Sequence, residues 1–278
     1  MDSGDKTMTF FDKKNDRFDT NRFRAVPYEI RSIMHHCDKH GDVKMDAVFF
    51  NGEAVNVTCP ICDKEAEEAH RAQAEALRKQ KERAAFIEKC KAENIEPEYY
   101  DKTLDDYQCR TESQRRAKEA ISKLIARQKG KVVLLGVNGC GKSHLGNCAV
   151  KALGGKVYTA YEIGCMIRQS YSKLAKKSEL EILEELDSVP MLFIDELDKN
   201  KVSTFNLCWL SYVLDRRHTR GLPFILATNA HLSKDCPNGK AHCPDCLENF
   251  LGNDILSRLC QDCEIITMYD APDARRRR

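Results

Sequence analysis

No stretch of the 278-residue chain approaches the roughly 18 apolar residues that a membrane-spanning helix needs, so no membrane partner is expected. The opening MDSGDKTMTFF lacks a basic stretch followed by an apolar one, which argues against a secretory signal and for a cytoplasmic location. A strong charge of one sign is also missing. The formal net charge is +2, and the last four residues, Arg275 to Arg278, are all arginine; setting them aside leaves 41 basic against 43 acidic residues. The body of the chain is therefore not a polybasic nucleic-acid binder, and any such contact has to come from local patches. There is no internal repeat. Glycine and proline are absent from residues 63–93, which are rich in Ala, Glu, Lys, Arg and Gln and therefore predict one long helix.

Hydrophobic residues make up 42% of the chain and charged residues 32%, enough to bury one sizeable domain core beside a smaller unit. Fourteen cysteines in a chain expected in a reducing compartment point to metal binding before disulfides. Residues 1–30 are polar and aperiodic, and Asp46 to Val57 reads as strand. In the long helix, Glu67 with Arg71 and Glu75 with Lys79 are stabilising pairs four apart. Its apolar stripe (Leu77, Ala84, Ile87) is thin, as suits an exposed spacer or a partner-binding helix. Pro97 marks a boundary, the segment Glu96 to Tyr107 reads as a linker, and residues 111–128 as helix.

A regular alternation then begins. Strands are expected at Lys131–Leu135, Lys156–Thr159, Met191–Ile194, Phe224–Ala227 and Glu264–Met268. Helices are expected at Lys142–Leu153, Tyr161–Lys176, Glu179–Leu186, Thr204–His218 and Leu256–Leu259. Short apolar strands alternating with helices predict an α/β fold, a parallel sheet covered on both faces. The expected domains are a zinc-binding module over 1–62, a charged helical linker over 63–94, and an ATPase domain over 95–278 with a cysteine-rich insertion at 233–246.

The first of these strands runs directly into GVNGCGKS, which satisfies the phosphate-loop pattern in its strand–loop–helix setting. Gly136, Val137, Asn138, Gly139, Cys140, Gly141, Lys142, Ser143 and His144 form the candidate nucleotide-binding set. The glycines let backbone N–H groups turn towards phosphate oxygens, and the following helix points its positive end at them. Lys142 supplies charge to the β- and γ-phosphates, and Ser143 offers a hydroxyl to magnesium. About 50 residues on, MLFIDE places two carboxylates at the C-terminal end of a buried strand, where ligands bind in open α/β sheets. Asp195 is the candidate magnesium partner and Glu196 the residue that polarises the attacking water. PFILATN supplies Asn229, a candidate for orienting that water.

The cysteines fall into groups. Cys37-x2-His40 and Cys59-x2-Cys62 flank a hairpin-sized insert with Asn51-Gly52 at its centre, a spacing that suits tetrahedral structural zinc. Cys236, Cys243 and Cys246 form a looser group with His231, His242, Cys260 and Cys263 nearby. Two second-zinc sets stand open: Cys243 and Cys246 with Cys260 and Cys263, or Cys236 with the Cys243–Cys246 pair.

Taken together, GVNGCGKS, LFIDE and ATN resemble the AAA+ superfamily. EYYDKTLDDY, DRRHTRGLPFILATN and DILSRL are similar to segments of the DnaC-type and IstB-type group. The likeness covers about residues 95–268. It implies ATP hydrolysis dependent on self-association into a ring or helical oligomer, with Arg258 as an arginine finger reaching a neighbouring subunit's nucleotide. A second-sensor arginine has no evident counterpart after Met268, Arg275 being the nearest candidate. The N-terminal zinc pattern resembles the DnaI-type helicase loaders, where that region contacts the replicative helicase. The resemblance thus implies ATP, Mg²⁺ and Zn²⁺ as cofactors. Its implied partners are a replicative helicase and single-stranded DNA, in the cytoplasm of a bacterium or of a phage host. The YEIGCMIRQSYSKLAKK segment, with Arg168, Lys173, Lys176 and Lys177 interleaved with Tyr161 and Tyr171, is the candidate DNA surface. Two other functions share these motifs: an IstB-like transposition helper on duplex DNA, and an adaptor in which ATP is only a conformational ligand.

Overall fold

The computed structural model describes residues 28–55, 57–200, 205–236, 243, 245–251 and 253–275. The chain divides into two compact units, one ending at Arg83 and the other beginning at Ala84.

In the first unit, β1 (Glu29–Cys37), β2 (Gly41–Phe50) and β3 (Glu53–Val55) form an antiparallel meander. Asn51 and Gly52 both take positive φ, 47° and 85°, as a tight hairpin turn between right-twisted strands requires. The hairpin of β2 and β3 around Asn51-Gly52 was legible in the sequence, and β1 was not. β1, EIRSIMHHC, does not alternate apolar with polar residues, its Ile30 and Met34 being exposed, and it pairs with β2 along its whole length, from Glu29 opposite Phe49 to Cys37 opposite Gly41. Helix α1 runs Pro60–Ala92, with a proline in its first turn where no N–H is needed. It thus starts earlier than the expected 63, and Cys62 lies in its first turn.

The second unit opens on the end of α1. Asn94 takes a left-handed φ of 59°, and the N–H of Ile95 donates to the carbonyl of Cys90, closing the helix. Then follow α2 (Glu112–Arg127), β4 (Lys131–Gly136), α3 (Lys142–Leu153), β5 (Gly155–Thr159), α4 (Ala160–Ser170), α5 (Glu179–Ser188), β6 (Met191–Asp195), α6 (Phe205–Arg220), β7 (Phe224–Thr228), α7 (Leu247–Leu251), α8 (Asn253–Asp262) and β8 (Glu264–Met268). All five strands are parallel, in the order β5-β6-β7-β4-β8.

Strand alternation builds two cores. Val133, Leu135, Leu192, Ile194, Phe224 and Leu226 face a layer with residues of α4 to α8. Val132, Leu134, Met191, Phe193, Ile225 and Ala227 face α2 and α3. Each such side chain, removed from water, contributes about 1.5–3 kcal/mol before chain entropy is counted. Both sheet faces are covered, which is why these strands read as unbroken apolar runs.

One helix is shorter than the sequence pattern suggested. α4 ends at Ser170, and residues 171–178 form turns before Ser178 caps α5 with a reciprocal capping box to Glu181. Leu174 is 91% exposed, so this stretch offers no apolar side chain to hold another helical turn on the core.

Candidate functional site

The phosphate loop lies between β4 and α3, at the C-terminal edge of the sheet. Gly141 sits at φ 100°, and a Cβ there would lie 2.2 Å from the Tyr107 ring. That close approach comes from the linker. The Tyr107 hydroxyl donates to the Cys140 carbonyl at 2.8 Å, Gln114 of α2 donates to the same carbonyl at 3.2 Å, and His144 meets the Thr103 carbonyl at 2.7 Å. The Glu96–Tyr107 segment is thus built into the loop's underside.

Lys142 is nearly buried, and its ammonium reaches the carbonyls of Gly136 (2.7 Å) and Val137 (3.0 Å) and the Asn229 Oδ1 (2.9 Å). Its three N–H donors are therefore held by neutral oxygens, which anionic phosphate oxygens outcompete as acceptors. The loop and Asn229, 87 residues apart in sequence, converge through this one side chain.

Asp195, at the end of β6, hydrogen-bonds the Ser143 hydroxyl and accepts the Glu196 N–H at 2.8 Å. Burial pushes its carboxyl above the ordinary 3.8, opposed by those hydrogen bonds and by the charge of Lys142. A half-buried carboxylate paired with a hydroxyl at a phosphate loop is the donor set a magnesium ion takes. Glu196 takes φ 53°, a left-handed conformation rarely adopted by a glutamate, and its carboxylate pairs with Lys199. Such strain persists where surrounding structure over-determines it.

Two residues of this site were given no role from the sequence, although Tyr99 lies in the EYYDKTLDDY segment. Asp198 accepts hydrogen bonds from the Thr228 hydroxyl (2.8 Å), the Asn229 N–H (2.9 Å) and the Asn229 side-chain amide (3.3 Å). Burial raises its pKa, but those donors outweigh burial and the net shift is downward. Asp198 thereby aims Asn229 at Lys142. Tyr99, from the linker, hydrogen-bonds Ser143, and burial chiefly pushes its phenol up to about 12. A third feature is the chain after β8. Asp273 packs on Gly139, and the Ala274 N–H donates to the Gly139 carbonyl at 3.1 Å. Arg275, the nearest second-sensor candidate, follows directly.

Arg258 lies within α8, between the buried Ile255 and Leu259; its side chain and that of Asp254 fall outside the described residues. The expected DNA surface is brought together only in part. Tyr161 and Arg168 share α4, the guanidinium 5.9 Å from the ring centre, and Tyr161 and Tyr171 are exposed. Lys173, Lys176 and Lys177 lie in the turns after α4 rather than on a helix face, a correction to the sequence reading.

In the first unit, Cys37, His40, Cys59 and Cys62 bring one ligand atom each within 4.8 Å of one another. His40 Nδ1 lies 3.7, 3.6 and 3.4 Å from the sulfurs of Cys37, Cys59 and Cys62, and Cys37 Sγ is 3.6 Å from Cys62 Sγ. One imidazole nitrogen cannot hydrogen-bond three thiols, but four ligands around a shared ion adopt these spacings. Zn–S of about 2.3 Å and Zn–N of about 2.0–2.1 Å give tetrahedral edges of roughly 3.6–3.8 Å. Glu65 Oε1 stands 3.3 Å from His40 Nε2, the carboxylate backing that orients a ligating imidazole. The residues fit zinc.

The cysteine-rich insertion resolves the two open alternatives. His231, Cys236, Cys243 and Cys246 come together, whereas Cys260 is exposed on α8 and Cys263 packs on the core. His242 falls outside the described residues.

No family model matches the sequence, and no curated protein does. Among solved structures, a DnaC helicase loader matches with a TM-score of 0.52 and 20% identity, over 62% of this chain and 99% of that one. A DNA replication initiation factor (TM-score 0.49, 17% identity, 61% of this chain) and a DnaI structure (TM-score 0.48, 17% identity, 62% of this chain and 94% of that one) are also similar. The chain spans 50% of the replication initiation factor's length. At this identity the likeness to the DnaC structure shows the fold alone, and that fold is the P-loop AAA+ sheet flanked by helices.

Proposed function

We propose that the protein is an ATP-hydrolysing helicase loader of DNA replication, assembled on single-stranded DNA and switched by nucleotide. The observation that carries the nucleotide half is the convergence of Lys142, Ser143, Asp195, Glu196 and Asn229 at one edge of an AAA+ sheet. When ATP and Mg²⁺ are bound, they supply the phosphoanhydride bond and the charge that offsets its cleavage. Lys142 moves its donors from the Gly136 and Val137 carbonyls to phosphate oxygens. Ser143 and Asp195 hold the metal, Glu196 takes up a proton from the attacking water, and Asn229, aimed by Asp198, orients that water. Arg258 completes the site from a neighbouring subunit, so hydrolysis waits on assembly.

The loader half is supported by the shared fold with a DnaC helicase loader and by the Cys3His module, which resembles the helicase-contacting module of DnaI-type loaders. Tyr161, Arg168 and Tyr171, with the lysines that follow, are the surface for single-stranded DNA. Co-purification of the intact chain with a bacterial replicative helicase tests the reading, with Cys59→Ser as the variant that removes the zinc module. Helicase retention by the intact chain and its loss in the variant are the expected results. An intact chain that captures no such helicase, while preferring duplex over single-stranded DNA, would instead indicate a transposition helper.

A further inference from the structure

The first unit's zinc pattern is not the chain's sole Cys3His cluster. His231, Cys236, Cys243 and Cys246 place one imidazole nitrogen and three sulfurs within 4.8 Å of one another, inside the ATPase unit. Cys243 Sγ lies 3.6 Å from His231 Nε2. The S···N edge of a zinc tetrahedron is also roughly 3.6 Å.

Three features argue against thiols that merely pack. The first is burial: His231, Cys243 and Cys246 are 8%, 2% and 1% exposed, and their ligand atoms lie within reach of one another. The second is number. None of the three cysteines is in a disulfide, and three thiols cannot all pair. The third is backbone preparation. The Cys246 N–H donates to the Cys243 carbonyl at 3.1 Å, closing a knuckle turn, and Asn249 Nδ2 donates to the same carbonyl at 2.8 Å. His231 is fixed on both sides, its N–H donating to Asp245 and its carbonyl accepting from Leu247.

We propose that these four residues bind a second, structural zinc ion that fastens the end of β7 to α7. The set is closed, three sulfurs and one nitrogen, so it leaves no position for substrate. His231 stands two residues beyond Asn229, and the Tyr269 hydroxyl donates to the intervening Ala230 carbonyl at 2.5 Å. The metal therefore anchors the strand end from which Asn229 reaches Lys142. This assignment is independent of the loader reading and of the first zinc site.

The test counts metal per chain and maps which thiols it shields. In the full-length Cys59→Ser/Cys62→Ser chain, elemental analysis should find one zinc, and adding Cys243→Ser/Cys246→Ser should remove it. The Cys260→Ser/Cys263→Ser chain should keep the wild-type count. To avoid dependence on variant folding, the wild-type chain is alkylated with N-ethylmaleimide before and after chelation, and modified peptides are read by mass spectrometry. Exposed Cys208 and Cys260 are internal references. Cys236, half-buried, should react at least tenfold faster after chelation. A folded Cys59→Ser/Cys62→Ser chain without zinc, or a Cys236 whose reactivity chelation leaves unchanged, overturns the proposal.

Discussion

Replacing Asp198 with alanine separates the structural and chemical work of the Asp198–Asn229–Lys142 chain. The substitution removes the acceptor for the Thr228 hydroxyl, the Asn229 N–H and, more distantly, the Asn229 amide. Hydrogen bonds to a charged group contribute about 1.5–3 kcal/mol each when well formed, and two of these three are at 2.8–2.9 Å. Thr228 keeps a partner, since its oxygen also accepts from the Ala230 N–H at 3.1 Å, and Asp198 is only partly buried. A net loss of about 3 kcal/mol follows, which in a domain of this size lowers Tm by about 6–12 °C. The Asp198 pKa lies below its ordinary 3.8, so the stabilisation is complete above that value and is lost as pH falls through the folded-state pKa. Thermal melts of wild type and Asp198→Ala should therefore differ most at neutral pH, with the gap narrowing progressively as pH falls below 3.8. Asp198→Asn keeps one oxygen and should fall between them. In steady-state ATPase assays, a misaimed Asn229 should lower kcat about tenfold, or ~1.4 kcal/mol. Because Asp198 acts through Asn229, the Asp198→Ala/Asn229→Ala chain should be no slower than Asn229→Ala alone. A melt within 2 °C of wild type at neutral pH, on the order of 1 kcal/mol or less, or fully additive losses in kcat, would refute the coupling.

Other expectations concern the same unit. Lys142→Ala should weaken binding of a fluorescent ATP analogue at least tenfold, about 1.4 kcal/mol or more, whereas Arg258→Ala should bind it normally and not hydrolyse it. Mixing the two inactive chains should restore hydrolysis, since Lys142→Ala still offers its Arg258 to a neighbour's intact site; no recovery at any ratio would count against the finger. Gly141→Ala puts a Cβ 2.2 Å from the Tyr107 ring at a φ of 100°, so it should cost both nucleotide affinity and a few °C of Tm, a loss that Tyr107→Ala partly relieves. Burial raises the Glu93 pKa above its ordinary 4.5, against the pull of Lys89, so its ionised form destabilises the fold increasingly as pH rises past that value. Glu93→Gln should accordingly melt slightly higher than wild type at pH 7, with the gap closing towards pH 4.5; a gap of the opposite sign would refute this.

The parallel sheet was legible because its strands are buried on both faces and therefore read as short apolar runs, from KVVLL to FILAT. The phosphate loop was legible because its chemistry admits few residue types at fixed spacing. β1 was not, since a largely exposed edge strand, EIRSIMHHC, buries no regular face and shows no period-two apolar pattern. Nor was the end of α4, where the polar pattern continues but the core does not. Asp198 and Tyr99 act through partners 30 and 44 residues away, which no local pattern records.

The sequence by itself determined the alternation of strands and helices, the phosphate loop, the Asp-Glu pair and the first Cys3His pattern, all properties of residues near one another along the chain. Only the tertiary structure decided that Asn229 rests on Lys142, that Asp198 aims it, and that Cys236 and His231 rather than Cys260 and Cys263 join the Cys243–Cys246 knuckle. Those choices depend on strand order and on how α7 returns to β7. Spacing states which ligands are available, but the fold selects which of them meet.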